Sequence, residues 1–183
     1  MKDLGTKRLE TDRLILRKWN IDDVEQAYNN WATDIEMHKY VNWPIHRSID
    51  ETQTLITRWI KEYDEGLYNW VVELKDSHEI IGNIAVGKVN KQNNYCDLGY
   101  CYGSKYWGNG YATEALKAVL KYMLNDCEFH LVEARHYETN LASGKVMKKA
   151  GMQKEAVLRE RRKNKNTGNF DNLVVYSIVK EDL

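Results

Sequence analysis

The stretch "YWGNGYATEAL", Tyr106–Leu116, decides the fold of this chain, because two glycines run directly into the apolar face of a helix. The apolar residues that follow at helical spacing are Ala112, Ala115, Leu116, Val119, Leu120, Met123 and Leu124. Glycine weakens a helix start, so its presence at Gly108 and Gly110 needs a reason. One interpretation is a plain strand-to-helix turn. The other is a loop whose free N–H groups and helix dipole bind phosphate.

Two well-known nucleotide-binding loops do not match this stretch. A dinucleotide-binding loop requires G-x-G-x-x-G, but Thr113 stands where the third glycine belongs. A Walker A loop requires G-x-x-x-x-G-K-[ST], and after Gly103 and Gly108 the next residues are Asn109 and Gly110. The sequence therefore does not predict binding of NAD or ATP at this loop.

Length and composition predict one domain that spans residues 1–183. The chain has 183 residues with 43% hydrophobic content, which is enough for one ordinary core. Lys and Arg together number 27, and so do Asp and Glu, which gives a formal net charge of zero. Strong nucleic-acid binding requires a basic excess, so this balance argues against it.

Targeting and metal-binding patterns are also missing from the sequence. The first residues, "MKDLGTKRLETDRL", are too polar for a signal peptide, and no apolar run is long enough to cross a bilayer. Cys96, Cys101 and Cys127 form no C-x-x-C pair and predict reduced thiols, so we expect a cytoplasmic protein without membrane attachment. The five histidines show no metal-ligand spacing, so we expect no metal site.

Hydrophobic periodicity predicts alternating strands and helices, which indicates an α/β (or α+β) domain with a mixed sheet. The predicted strands are Arg13–Trp19, Tyr68–Leu74, Glu79–Val89, Asn94–Tyr102, His130–Glu138, Met152–Arg159 and Leu173–Val179. Helices are predicted behind Asp22 and Asp23, behind a capping box of Ser48 and Glu51, after the two glycines, and from about residue 140. The only proline, Pro44, is expected in a loop between the first two helical segments.

Five blocks of sequence, in the same order along the chain, resemble the GCN5-related N-acetyltransferases (GNAT), and within them the RimJ/RimL-like subgroup of ribosomal-protein N-acetyltransferases. The blocks are Leu9–Asp23, Ile80–Val86, Cys96–Leu116, Asn140–Arg159 and Phe170–Asp182. The family's cofactor motif is Q/R-x-x-G-x-G/A, which reads Lys105-Tyr106-Trp107-Gly108-Asn109-Gly110 here. Lysine in the first position departs from the motif but keeps a positively charged donor. The resemblance implies a splayed, mostly antiparallel mixed sheet flanked by helices.

The resemblance further implies that acetyl-CoA, as a co-substrate, binds between the strands Asn94–Tyr102 and His130–Glu138. The former would pair with the pantetheine arm, and the N–H groups of Lys105–Tyr111 would meet the pyrophosphate. Residues expected to bind acetyl-CoA are Tyr100, Cys101, Tyr102, Lys105, Tyr106, Trp107, Gly108, Asn109, Gly110, Tyr111, Ala112, Asn140 and Ser143. Asn140 is also suited to cap its helix, and we expect it to do both. The two glycines would then leave room for phosphate oxygens at the backbone.

Acetyl transfer from a thioester to an amine needs a neutral amine, a stabilised oxyanion and a protonated leaving thiolate. By position in the family pattern, Asp97 is expected to take the amine proton, directly or through water; an exposed or structurally paired strand carboxylate is the alternative. A backbone N–H near a strand bulge around Tyr100 or Cys101 is expected to meet the oxyanion. Ser143 is expected to protonate the thiolate, with Tyr137 as a fallback.

The resemblance implies that the acceptor binds between the first two helical segments and the last hairpin. Trp31, Trp43 and His46 are the expected acceptor-binding residues on one side, with Tyr40 near them. On the other side is the basic run Arg159–Asn169, which we interpret as a solvated hairpin tip. Contact with an acidic protein or RNA surface is the alternative for this run.

The identity of the acceptor is not determined by these motifs. The leading hypothesis is an N-acetyltransferase that acts on a protein N-terminal α-amine of the ribosomal-protein type. A small amine such as an aminoglycoside, a polyamine or an amino acid is an alternative acceptor. A binding module that responds to acyl-CoA without turnover is an alternative function. The oligomeric state is open, with a homodimer as one option.

Overall fold

A computed structural model of the protein describes residues 1–165 and 167–183, which form one eight-stranded sheet with helices. The strands are β1 (Leu9–Glu10), β2 (Leu14–Arg17), β3 (Asn69–Leu74), β4 (Ile80–Asn90), β5 (Tyr95–Tyr102), β6 (Leu131–Tyr137), β7 (Gln153–Lys163) and β8 (Phe170–Val179). Their spatial order is β1-β2-β3-β4-β5-β6-β8-β7. Only the β5–β6 pair is parallel. The mixed, mostly antiparallel sheet predicted from the sequence is confirmed.

Within the described residues, five α-helices connect these strands. They are α1 (Val24–Ala27), α2 (Ile35–His38), α3 (Ile49–Glu62), α4 (Tyr111–Lys121) and α5 (Leu141–Lys149). A wider helical turn, Tyr28–Ala32, extends α1 and carries Trp31 into the core. Within residues 1–165 and 167–183, no helix is long and apolar enough to cross a lipid bilayer.

Two hydrophobic clusters form the interior of the protein. The first contains the apolar face of α4, with Leu116 and Leu120 fully buried, together with Met147 of α5. The second contains Trp31, from the extension of α1, and Ile56, from α3. Both clusters include strand residues, so burial of apolar surface fixes the helices against the sheet.

The sheet splays open between β5 and β6. Residues 95–98 of β5 pair with residues 131–134 of β6, and β5 then continues to Tyr102 without a partner on this side. Meanwhile β6 continues to pair with β8 as far as Tyr137. The two strands therefore leave a wedge in which the backbone edge of β5 lacks its usual neighbour.

Two predictions about local structure are wrong in detail. Ser48 is the N-cap residue of α3, but its side chain accepts no capping hydrogen bond, and the Glu51 carboxylate accepts from the Arg47 amide at 2.9 Å instead. Strand β7 runs to Lys163, beyond the predicted end at Arg159, because it pairs with β8 through Lys163 and Phe170. Part of the basic run is therefore strand.

Candidate active site

The loop before α4 has an unusual backbone at both glycines. Gly108 and Gly110 have φ angles of 81° and 82°, a region that L-residues other than glycine rarely adopt. Gly110 is the N-cap residue, and no side chain caps the helix there. The first N–H groups of an α-helix lack partners within the helix, and its N-terminus carries partial positive charge. This loop can therefore bind an anion.

The space beside the two glycines is open. A Cβ atom at Gly108 would meet nothing within 4 Å, and one at Gly110 would meet only Arg13 Nη2 at 3.6 Å. The glycines are therefore required by backbone conformation, and in the free protein they avoid no clash with a neighbour. The room expected for a ligand at the backbone is present.

Arg13 and Glu114 hold this loop, and sequence reasoning missed both. Arg13 Nη1 donates to the Asn109 carbonyl at 3.1 Å, and Arg13 Nε donates to the Glu114 carboxylate at 2.8 Å. The other Glu114 oxygen accepts from Thr11 Oγ1 at 2.6 Å. The only sequence signals for this contact were an acidic residue in the first turn of a predicted helix and an arginine near the start of a predicted strand. These bonds tie α4 to the segment before β2.

Lys105 and Asn109 do not line the cavity that most of the other site residues share. Lys105 Nζ donates to Asn30 Oδ1 at 2.9 Å and lies 3.8 Å from a Glu79 oxygen. The Asn109 amide donates to the Tyr106 carbonyl at 3.2 Å. The structure thus directs the Lys105 amine away from the loop's open side, and Asn109 stabilises the loop from within.

One cavity of about 940 Å³ extends from the glycine loop, along the wedge, to the loop between α2 and α3. Predicted site residues that line it are Trp31, Trp43, His46, Tyr100, Cys101, Tyr102, Tyr106, Trp107, Gly108, Gly110, Tyr111, Ala112, Asn140 and Ser143. Among the described lining residues there is no Asp or Glu. The described part of the chain also has no group of three side chains that could hold a metal ion.

The backbone of Tyr100 faces into the wedge. The Gly103 amide donates to the Ile81 carbonyl at 3.0 Å, and hydrogen-bonded pairs alternate along an antiparallel ladder. Cys101 therefore directs its N–H and C=O toward β4, whereas Tyr100 and Tyr102 direct theirs away from it. The Tyr102 carbonyl accepts from Trp107 Nε1 at 2.8 Å. Of the two expected oxyanion donors, the geometry favours Tyr100.

The bulge expected around Tyr100 or Cys101 lies on the neighbouring strand instead. The register of the β4–β5 pair shifts between Val86 and Lys88, so the extra residue is Gly87 of β4. A bulge places two residues of one strand opposite one of the other. The free N–H groups of β5 come from the splay between β5 and β6 and do not depend on this bulge.

Ser143 and Tyr100 form a hydroxyl pair at the start of α5. Tyr100 Oη lies 2.9 Å from Ser143 Oγ and 3.0 Å from the Ser143 carbonyl oxygen. The Ser143 amide donates to Asn140 Oδ1 at 3.2 Å, which confirms the predicted cap. Burial raises the pKa of Tyr100, although the hydrogen bond with Ser143 opposes this effect, so its phenol stays protonated. The pair can donate a proton into the cavity.

Asp97 lies just outside the cavity. It does not line the cavity, but a Cβ atom at Gly87, which does, would lie 2.9 Å from Asp97 Oδ1. The Asp97 carboxylate makes no hydrogen bond or ion pair with the rest of the described chain. The Asp97 side chain is therefore not held in a structural ion pair or hydrogen bond within the described residues. Its carboxylate would reach a group in the cavity past Gly87.

Trp31, Trp43 and His46 form one aromatic cluster at the far end of the cavity. The Trp31 and Trp43 rings lie 5.4 Å apart at 85°, and the Trp43 and His46 rings lie 5.6 Å apart. His46 Nδ1 lies 2.7 Å from Thr52 Oγ1, and burial lowers the pKa of His46. The imidazole is therefore neutral at pH 7. The structure brings together the three residues expected to bind the acceptor.

The β7–β8 hairpin reaches this cluster, so the basic run is more than a solvated tip. Arg162 lines the cavity, and Lys165 Nζ donates to the Trp43 carbonyl. Burial lowers the pKa of Lys165. Asn166, which belongs to the same predicted run, lies outside the described residues. Pairing of β7 with β8 as far as Lys163 carries these side chains over the loop between α2 and α3.

Asp34 joins the acceptor end of the cavity to the cofactor loop, and sequence reasoning missed this contact. Asp34 Oδ1 caps α2, while Asp34 Oδ2 accepts from the Ser104 amide at 2.5 Å. Burial opposes ionisation of Asp34, but the hydrogen bonds from Ser104 and α2 outweigh it and lower the pKa of Asp34. The carboxylate therefore stays charged and holds the two ends of the cavity in a fixed relation.

Comparison with known proteins gives consistent matches. The acetyltransferase (GNAT) domain family matches residues 13–153. The uncharacterized N-acetyltransferase YoaA of Bacillus subtilis (strain 168) is 32% identical over 174 residues, which cover 94% of this chain and 96% of that protein. The ribosomal protein uS5-alanine N-acetyltransferase of Escherichia coli (strain K12) is 28% identical over 171 residues, covering 84% and 81%.

A solved structure extends the comparison to three dimensions. It is RimL, a ribosomal L7/L12 alpha-N-protein acetyltransferase, in complex with coenzyme A. The TM-score is 0.83 at 15% identity, and the match covers 97% of this chain and 100% of that one. At this identity, the likeness establishes a shared fold.

Proposed function

The chain belongs to the acetyltransferase (GNAT) family, and from that premise we propose that it transfers acetyl from acetyl-CoA to a protein N-terminal α-amine. The relative from Escherichia coli is named for acetylation of an alanine in ribosomal protein uS5, which supports this class of acceptor. Membership of the family establishes an acetyltransferase that depends on acetyl-CoA, and the protein N-terminal acceptor is what we propose beyond it.

The observation that carries the proposal is the continuity of the cavity. One space of about 940 Å³ joins the glycine loop, the Ser143 hydroxyl and the aromatic cluster of Trp31, Trp43 and His46. A donor that binds at the loop and an acceptor that binds at the cluster would therefore meet near Ser143. Holding two reactants in this way converts a bimolecular reaction into an effectively unimolecular one.

The residues of the wedge fit acetyl-CoA. The N-terminus of α4 offers free amides and positive partial charge, as a pyrophosphate requires. Tyr102 lines the cavity, and its buried hydroxyl has no hydrogen-bond partner in the described chain, so a polar group of a bound ligand can satisfy it. The unpaired backbone edge of Tyr100 can pair with the amides of the pantetheine arm. When bound, acetyl-CoA supplies the thioester and the leaving thiolate.

The side chains of the site have separate roles in this proposal. The Tyr100 N–H stabilises negative charge on the thioester oxygen, a type of contact whose removal costs about 10²–10³-fold in rate. Ser143 donates a proton toward the thiolate. Tyr100 Oη, 2.9 Å from Ser143 Oγ, orients the serine hydroxyl or replaces the proton that it has donated. Asp97 takes the proton of the amine through a water beside Gly87.

An acceptor panel tests the proposal. Purified protein is incubated with acetyl-CoA and with N-terminal peptides, aminoglycosides, polyamines or amino acids, while thiol release and product mass are measured. Acetylated peptide with stoichiometric thiol supports the proposal. Turnover only with small amines would move the function to the small-molecule class. Thermal stabilisation by acetyl-CoA without thiol release from any amine would indicate the binding module.

A further inference from the structure

The charge of the cavity lining is one-sided. The charged side chains that line it are Arg58, Arg135, Lys145, Lys149 and Arg162, and no Asp or Glu in the described chain is among them. Arg135, Lys145 and Lys149 belong to β6 and α5, beside the wedge. Arg58 and Arg162 come from α3 and β7, the two walls of the acceptor end. Arg135 is paired with the Glu133 carboxylate, which does not line the cavity, and the remaining cations would repel a polycationic acceptor.

Trp31 places an indole N–H without a hydrogen-bond partner in the described chain at the acceptor end of the cavity. Its side chain is 1% exposed and lines the cavity, and Nε1 has no hydrogen-bond partner in the described chain. An indole N–H can only donate, and a buried donor in a folded protein nearly always has an acceptor. An oxygen of the acceptor molecule would satisfy it.

The two arginines differ in how much of their charge is already neutralised. Arg58 Nε lies 3.5 Å from the Glu62 carboxylate, and both side chains are partly exposed. The Arg162 side chain makes no hydrogen bond or ion pair with the rest of the described chain. Its register neighbour Asp171 accepts from Asn164 Nδ2 at 2.6 Å. Among the described residues no carboxylate contacts the Arg162 guanidinium directly, so its N–H donors remain available to an anion at the aromatic cluster.

We propose that the acceptor is a primary amine with a carboxylate close to it, which Arg162, Arg58 and the Trp31 N–H recognise against the face of the aromatic cluster. The proposal rests on the acetyltransferase function above and specifies its substrate class. An acidic side chain next to a protein N-terminus and the carboxylate of a free amino acid share this chemistry. Guanidinium groups suit carboxylates because they present paired N–H donors.

The test compares acceptors that differ only in charge. Three synthetic peptides share an N-terminal alanine and a common tail and carry glutamates, glutamines or lysines at the following positions; free glutamate is the fourth acceptor. We expect kcat/KM to be about tenfold higher for the glutamate peptide than for the lysine peptide. The ratio should shrink in about 0.5 M salt, where exposed charges are screened.

Variants then assign the preference to residues. Arg162→Gln should remove most of the ratio between glutamate and lysine peptides while leaving the KM for acetyl-CoA unchanged. Arg161→Gln, the adjacent arginine that does not line the cavity, is the matched control and should keep the ratio. Trp31→Phe keeps an aromatic ring but loses the N–H, and it should raise KM for the glutamate peptide by a larger factor than KM for the glutamine peptide.

The outcomes separate this inference from the proposed function. Equal kcat/KM for the glutamate and lysine peptides, or a preference for lysine, overturns the inference and leaves the acetyltransferase function standing. A higher kcat/KM for free glutamate than for every peptide supports recognition of a carboxylate and indicates that the acceptor is a small molecule. No acetylation of any amine, in protein that still binds acetyl-CoA, overturns the proposed function and this inference together.

Discussion

The phenol oxygen of Tyr100 lies 2.9 Å from the hydroxyl oxygen of Ser143, although the two residues are 43 positions apart in the sequence. Tyr100 is on β5, at the point where β6 separates from it, and Ser143 is in the first turn of α5. The splay between the strands thus has a chemical consequence. It places a protonated phenol behind the serine expected to face the thiolate.

Removing either hydroxyl should slow turnover without weakening acetyl-CoA binding. We expect Ser143→Ala to lower kcat by about 10²-fold, the lower end for a general acid, because solvent can partly replace it. Tyr100→Phe should lower kcat by about tenfold. The double variant should be little worse than Ser143→Ala, since the two hydroxyls act as one hydrogen-bonded unit. Steady-state kinetics and calorimetric titration of acetyl-CoA measure these effects, and a full additive loss would separate the two roles.

Asp97→Asn should reduce turnover. If Asp97 takes the amine proton through water, its loss leaves only solvent to accept that proton. A decrease of about 10²-fold in kcat is expected. Asp76→Asn, an exposed carboxylate in the turn between β3 and β4, is the control. Wild-type rates at every pH in Asp97→Asn would show that Asp97 is not the base.

Substitution of Gly110 should separate backbone strain from charge. Gly110→Asp and Gly110→Asn have the same shape, and both must adopt φ near 82°, which Asn tolerates better than most residues. Only aspartate adds a negative charge at the N-terminus of α4, where a pyrophosphate is expected. We expect Gly110→Asn to weaken acetyl-CoA binding and Gly110→Asp to abolish it. Calorimetry is the measurement, with circular dichroism to confirm folding; unchanged affinity in folded Gly110→Asp would contradict the cofactor site.

Stability should fall as pH is lowered through the range in which histidine titrates. Burial lowers the pKa of His38, His46 and His136 below the ordinary value of 6.5. Above about pH 6.5, all three are neutral in both folded and unfolded chains and have no effect. Below it, the unfolded chain binds protons that the folded chain resists, so the free energy of unfolding decreases until pH falls through the folded pKa values.

Thermal unfolding at a series of pH values checks this prediction. His136 Nδ1 donates to the Tyr137 carbonyl at 2.7 Å, and its Nε2 is buried without a partner in the described chain. His136→Asn keeps a donor but does not titrate, so its midpoint should depend less on pH than that of the wild type. His130→Asn, which changes an exposed histidine, should behave like the wild type. An unchanged pH dependence in His136→Asn would rule out its contribution.

The sequence alone determined the order of the elements and the location of the cofactor loop. Alternation and helical spacing predict β3, β4, β5, α4 and β6 closely, because each depends on which face of a short segment is buried. Gly108 and Gly110 indicate the loop because few other residues adopt its backbone. Asn140 indicates the start of α5 because an N-cap is a contact between residues three apart.

Only the tertiary structure decided how side chains distant in sequence meet. It directs Lys105 away from the loop and toward Asn30, places Asp97 behind Gly87, and brings Lys165 to the Trp43 carbonyl, 122 positions away. These contacts depend on strand register, on the length of β7 and on the point where β5 and β6 separate. Local periodicity determines which face of a segment is buried, but it carries no information about which other segment lies against that face.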